Sequence, residues 1–357
     1  MMIAGGFRLE SLKQKPGETA QARHPTVAVS RFGVRGSIGA HVTFASILEA
    51  SLGGGLGYGA SVWEGQAELA VREQWVRYAR GDAAIAVGRV LDDATFDFVS
   101  VHTGDLFYTD TYTRDPLLFS GADFGTGIRG TLEIAPHLTA GLTFHSTNPT
   151  GLTGTLIIGG KLAPFDRPFD LASAQVGRSQ QSLPDQNLHI YFGTPSLVYS
   201  DDVIDAKAAI QMYVLDTQMS IGNDDAIRGY NVRGDVRLKL DGGRLRPFAN
   251  VSRNQNEILD PADATMRLTE TFRSYELSGG VDYDYEDKNG VGVQYALVDS
   301  REPGQHTREH YASVATSYWL EPELAIGVRA SVYVRQVSGD AEATGHRSLF
   351  FTMRLVL

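Results

Sequence analysis

The feature that most restricts this chain is an alternation that carries charge. From Tyr230 to Asp241 the sequence reads YNVRGDVRLKLD. One face holds Tyr230, Val232, Gly234, Val236, Leu238 and Leu240. The other holds Asn231, Arg233, Asp235, Arg237, Lys239 and Asp241. A side-chain period of two belongs to a strand, and this run is about twice the usual globular strand of roughly 5–6 residues. An apolar face opposite an ionic one leaves two outcomes. The apolar rows pack on a second sheet, or they turn toward lipid while water wets the ions.

The pattern recurs. Leu324, Ile326, Val328, Ala330, Val332 and Val334 alternate with Ala325, Gly327, Arg329, Ser331 and Tyr333. Tyr275, Leu277, Gly279, Val281, Tyr283 and Tyr285 alternate with Glu276, Ser278, Gly280, Asp282 and Asp284. Val291–Leu297, Leu138–Phe144 and the final Arg347–Leu357 behave alike. Short turn signals at Gly242–Gly243, Asp287–Gly290 and Glu321–Glu323 suit tight hairpins. Longer polar or Gly/Pro-rich connections alternate with them, at Gly53–Gly65, Asp92–Gly121, Asn148–Gln186, Asn254–Thr269, Arg301–Arg308 and Ser338–Gly345. Only Asp201–Ala209 hints at a helix.

Long alternating strands, aromatic residues near strand ends, and long connections alternating with short ones are the marks of a transmembrane barrel. Lipid offers no partner to a strand edge, so such a sheet must close. The sequence therefore predicts an all-β, closed antiparallel transmembrane β-barrel spanning 1–357 as one unit. Seventeen candidate strands, the weakest at 7–12 and 153–160, reduce to about 16, because single-chain bacterial barrels have even counts. Long loops would sit on one rim and short turns on the other. Tyr230, Tyr283, Tyr285, Tyr311, Tyr318 and Trp319 are candidates for the interfacial girdles. The bland alternative is a soluble β-sandwich.

Composition narrows the function. Cysteine is absent, which removes disulfides, thiolate metal sites and cysteine nucleophiles. A net charge of −10 speaks against nucleic acid, which wants a basic footprint. No apolar run approaches the roughly 20 residues of a spanning helix. Met1–Gly6 is apolar but short, so no secretory leader is visible in this numbering. Among 32 basic residues 26 are Arg and six are Lys, a bias that suits fixed charge in a confined place. No Gly-x-Ser-x-Gly elbow or phosphate-cradling glycine loop appears, and Gly53–Gly59 reads as a flexible turn. His306 and His310 share an i,i+4 spacing without helical support. No cofactor is expected.

The segment SRFGVRGSIGAHVTFASILE, Ser30–Glu49, resembles the early hairpin of the general bacterial porins. The stretch from Val71, VREQWVRYARGDAAIAVGRV, is similar to their next hairpin, with an Arg-led strand turning through Gly-Asp to a Gly-Arg pair. Ala122–Phe144 is similar to the one after. Arg347–Leu357 resembles the outer-membrane assembly signal, although it ends in Leu357 where porins usually end in Phe. Together these cover about 150 residues; the middle agrees only in period. The resemblance implies an outer-membrane channel for passive diffusion of small hydrophilic solutes or ions, a homotrimer, and contact with the bilayer and lipopolysaccharide.

It also implies a constriction. The segment 92–121 stands where porins carry the loop that folds into the channel. Asp92, Asp93, Asp97, Asp105, Asp110 and Asp115 would face the lumen, with Phe96, Phe98, Phe107, Tyr108 and Tyr112 against the wall. By motif position Arg31, Arg72 and Arg129 correspond to the basic wall opposite. Parity adds Arg35 beside Arg31, groups Arg129 with Thr131 and Glu133, and groups Arg72 with Glu68, Ala70 and Gln74. Arg233, Arg237, Lys239, Arg329 and Arg335 add positive charge, balanced by Asp235, Glu276, Asp282 and Asp284. Acid facing base across confined water makes a strong transverse field. Rival readings are a barrel acting as scaffold or secretion partner, and a barrel enzyme such as a lipase or protease.

Overall fold

The structure is a computed structural model and describes residues 2–15, 18–52, 67–91, 124–147, 189–216, 226–259, 268–286, 289–302, 304–338 and 344–356. These residues are almost entirely strand. In chain order they are β1 (Met2–Lys15), β2 (Glu18–Ile38), β3 (Val42–Leu52), β4 (Ala67–Arg80), β5 (Ala83–Leu91), β6 (Phe124–Ala135), β7 (Leu138–Thr147) and β8 (His189–Ser200). There follow β9 (Ile204–Asp216), β10 (Ala226–Leu238), β11 (Leu245–Leu259), β12 (Leu268–Glu286), β13 (Asn289–Glu302), β14 (Gln305–Glu321), β15 (Leu324–Val337) and β16 (Thr344–Val356).

Each strand pairs antiparallel with the next. β1 pairs with β2 on one side and with β16 on the other, with Met2 opposite Val356, so the strand order returns on itself. Ladder hydrogen bonding thus serves both edges of every strand. No helix among the described residues is long and apolar enough to cross a membrane, which says nothing about strands.

Residues directly opposite in a ladder share a face. One face carries the large apolar side chains and is exposed: Val34, Val76, Phe144, Met212, Val251, Leu277, Val293, Val332 and Met353. The other carries polar side chains that are largely buried, among them Thr143, Thr194, Asn231, Asn254, Glu276, Asp282 and Arg329. That is the reverse of a soluble core. The alternating faces of Tyr230–Leu238, Tyr275–Tyr285 and Leu324–Val334 are those read from sequence. The apolar rows do not pack on a second sheet, so a sandwich is ruled out.

Four local readings are corrected. Asp201–Ala209 is not helical; from Ile204 it is the start of β9. The Asp201 carboxylate accepts the backbone N–H groups of Val203 (2.8 Å) and Ile204 (2.7 Å), and this closes the turn from β8. Arg301–Arg308 is not a long connection. The β13–β14 ladder runs out to Glu302 opposite Gln305, with Gly304 at φ +78° in the turn. Polar residues there belong to strand ends, which is why they read as loop. The His306/His310 pair consequently lies on a strand, with His306 on Asp299 at 3.0 Å and His310 on Tyr295 at 2.8 Å. Tyr311 and Trp319 are not outer girdle residues, because they share the interior face with Ala315 and Ala325. Tyr230, Tyr283, Tyr285 and Tyr318 do lie on the outer face. The candidate strand 153–160 falls outside the described residues.

Candidate functional site

Among the described residues, the predicted wall cations meet on the interior face. Its geometry is set by one irregularity. In the β3–β4 ladder Glu73 pairs with Ile47, but Val71 pairs with Leu48. Arg72 is the extra residue of a β-bulge, and a bulge shifts side-chain parity by one. Before it, Glu68 and Ala70 occupy interior register; after it, Glu73, Trp75 and Arg77 do, while Gln74, Val76 and Tyr78 face outward. The expected grouping of Arg72 with Gln74 is therefore corrected.

The bulge brings together residues that parity alone did not assemble. Arg77 pairs with Ala86, Ala86 with Arg129, and Arg129 with Thr143, all in one interior row. One row further, Arg35 leads through Ala45, Trp75, Gly88 and Gly127 to His145. Arg35 donates from Nη2 to Glu73 at 2.7 Å, and Trp75 Nε1 donates to the other Glu73 oxygen at 3.4 Å. Between Trp75 and His145 the wall has no side chains. A Cβ on Gly127 would stand 1.9 Å from the Phe144 carbonyl oxygen, and one on Gly88, at φ +126°, would stand 2.2 Å from that of Gln74. Only glycine fits at either position.

This wall is open. The Arg35 side chain is 63% exposed, and Ser37, Arg77 and Glu133 are also exposed. From β8 onward the same face is closely covered. Arg233 and Asp235 pair at 3.2 Å with side chains 1% and 0% exposed, and Lys207 lies 3.4 Å from the same carboxylate. Asp205 accepts Arg237 (2.8 Å), Lys239 (2.7 Å) and Ser200 (2.6 Å). Arg246 clasps Asp284 with both terminal nitrogens. Phe192 stacks on His145 and tilts on Tyr213, with centroids 4.6 and 5.8 Å apart. Arg329 is buried at 4%.

The predicted residues therefore divide. Arg35 and Arg129 share the open wall. Arg233 is held in a buried ion pair, Arg237 and Lys239, 27% and 26% exposed, share Asp205 at the adjoining end of β9, and Arg329 lies in the covered half. Arg31 stands opposite Met2 and Glu49 in register, and its side chain is outside the described residues, as is that of Arg72. Asp92, Asp93, Asp97, Asp105, Asp110 and Asp115, and with them the candidate constriction, also lie outside. Glu73, Trp75 and Arg77 are additional wall residues. Their signal was present, since Glu68/Arg72 and Glu73/Arg77 alternate in opposite phase, and only an inserted residue reconciles the two. Among the described residues no three His, Asp or Glu side chains are grouped to hold a metal ion.

No protein-family model and no curated protein matches the sequence. Solved structures do match in fold. The outer-membrane channel DcaP of Acinetobacter baumannii superposes with TM-score 0.62 at 11% identity, covering 99% of this chain and 96% of the other. An anion-selective porin from Comamonas acidovorans gives 0.58 at 8%, covering 100% and 99%. The trimer form of OmpT, an outer-membrane protein of Vibrio cholerae, gives 0.56 at 8%, covering 99% and 98%. At such identities the likeness speaks for architecture alone: the chain has the fold of the outer-membrane porin barrels.

Proposed function

We propose that the chain is a porin of the bacterial outer membrane, a closed barrel of sixteen strands that passes small hydrophilic solutes or ions by passive diffusion. The observation that carries this reading is the inversion of faces: apolar rows exposed on the outside, ions and hydroxyls inside. A contiguous apolar surface of this extent needs a lipid partner. The connections support an orientation. Those after β2, β4, β6, β8, β10, β12 and β14 are short, whereas the strand ends that 53–66, 92–123 and 148–188 connect lie at the opposite rim. Short turns are periplasmic and long loops extracellular in such barrels.

The working wall is Arg35, Arg77 and Arg129, with Glu73 holding Arg35. The reading assigns the facing acidic side to Asp92, Asp93, Asp97, Asp105, Asp110 and Asp115. It takes the protein to be a homotrimer without catalytic function, by likeness to the porin fold. The test is conductance of the purified, detergent-folded protein in planar bilayers. Stepwise ohmic openings are expected. A chain that stays in the aqueous phase without detergent and adds no conductance overturns the proposal; silence together with a co-purifying chain favours the scaffold alternative.

A further inference from the structure

The outer face holds a second cluster that transport does not use. On β11 to β14, near the rim of the long connections, two successive outward rows are polar. The first runs Arg253, Tyr275, Asp299, Arg308; the second runs Gln255, Arg273, Arg301, His306. One row toward the middle of the barrel stand Val251, Leu277 and Leu297, the first two 55% and 54% exposed. Among the side chains described in these two rows, four arginines face one carboxylate.

That carboxylate is fully engaged. Asp299 takes His306 at 3.0 Å, Arg308 at 3.1 Å and Arg301 at 3.7 Å. Arg253 lies over the Tyr275 ring, 5.6 Å from its centroid. Arg273 makes no ion pair among the described residues, and its direct cross-strand neighbour is Arg301. Like charges directly opposite are unfavourable, and guanidinium cannot shed its proton. Arg301 and Arg308 remain 68% and 50% exposed. Among the described side chains an excess of positive charge is thus fixed where the polar rim meets the apolar band.

We infer that this patch, built on Arg253, Arg273, Arg301 and Arg308, binds the phosphate-bearing headgroup of an anionic lipid. Guanidinium groups meet phosphate oxygens bidentately, and a phosphate between Arg273 and Arg301 removes their repulsion. The apolar row directly beneath decides the source of the phosphate. A lipid places its acyl chains along Val251 and Leu277 while its head reaches the arginines, whereas a free anion uses only half of the site. The inference rests on the outer face being lipid-facing.

The test follows the thermal unfolding of the folded protein in neutral detergent as lipid is added. Phosphatidylglycerol should raise the midpoint and phosphatidylcholine should not. The Arg273→Gln/Arg301→Gln variant should lose most of that rise, while Arg244→Gln at the opposite rim should keep it. Equal response to both lipids, or an unchanged double variant, overturns the inference. So does a matching rise with inorganic phosphate, which would make the patch a free-anion site. Conductance is recorded on the same preparations. A conducting protein without lipid preference sinks this inference alone, and one that neither conducts nor needs detergent sinks the barrel reading beneath it.

Discussion

At the residue scale, Asp201 shows how one side chain sets a turn. Its carboxylate receives the Ile204 and Val203 amides and the Tyr199 hydroxyl at 2.7–2.8 Å. These donors, the Ile204 amide first, hold it below its ordinary value of 3.8. A lowered folded-state value means that stability is present above the unfolded value and is lost as pH falls through the folded one. Acidification from neutral pH to below pH 3.8 should therefore lower the unfolding midpoint. Asp201→Asn should start lower at neutral pH and fall less over the same window, because a neutral amide accepts these bonds more weakly and does not titrate. Parallel melting curves for the two proteins check this.

At the element scale, the β4 bulge makes the sharpest forecast. The chain has no native cysteine, so single cysteines report orientation without background. In bilayers, Arg77→Cys and Ala70→Cys should react with a charged, water-soluble thiol reagent. Val76→Cys and Val71→Cys should not. Reaction at 70, 72, 74 and 76 alike would mean that the strand runs without a break in parity. The sequence displayed most of this strand. The apolar/ionic alternation is legible because lipid and water impose opposite demands on adjacent residues. What hid was the phase, since one inserted residue changes no composition yet reverses every later side chain. The same limit explains Tyr311 and Trp319. An aromatic near a strand end suits either face, and only the neighbouring register assigns it. The charged ends of β13 and β14 misled in the other direction, since surface arginines resemble loop.

At the scale of the whole molecule, the interior is divided, and the two halves should respond differently to the loss of an arginine. Removing Arg35, Arg77 and Arg129 together should shift the reversal potential in a salt gradient toward cations, with a several-fold fall in relative anion permeability, and should lower the unfolding midpoint less than the loss of Arg233, because Arg35 is 63% exposed although its partner Glu73 is 11%. Arg233→Ala belongs to the other half. It strips a buried partner from Asp235 and should cost about 3 kcal/mol in denaturant unfolding, the low end for a broken buried pair because Lys207 still faces that carboxylate. Its reversal potential should hardly move. The opposite outcome, selectivity following Arg233 and stability following the Arg35 group, would exchange the roles of the two walls. Both walls were legible as ionic faces. Their division was not, because exposure depends on what lies across the lumen and leaves no mark in a strand's own alternation.

The glycines at 88 and 127 have a wider consequence. They let neighbouring strands approach so closely that the row between Trp75 and His145 is bare backbone, joined to the carbonyls of Gln74 and Phe144 without room for a methyl group. A side chain forced into either place has to part a ladder, so Gly88→Ala or Gly127→Ala should loosen the sheet itself before it narrows anything inside it.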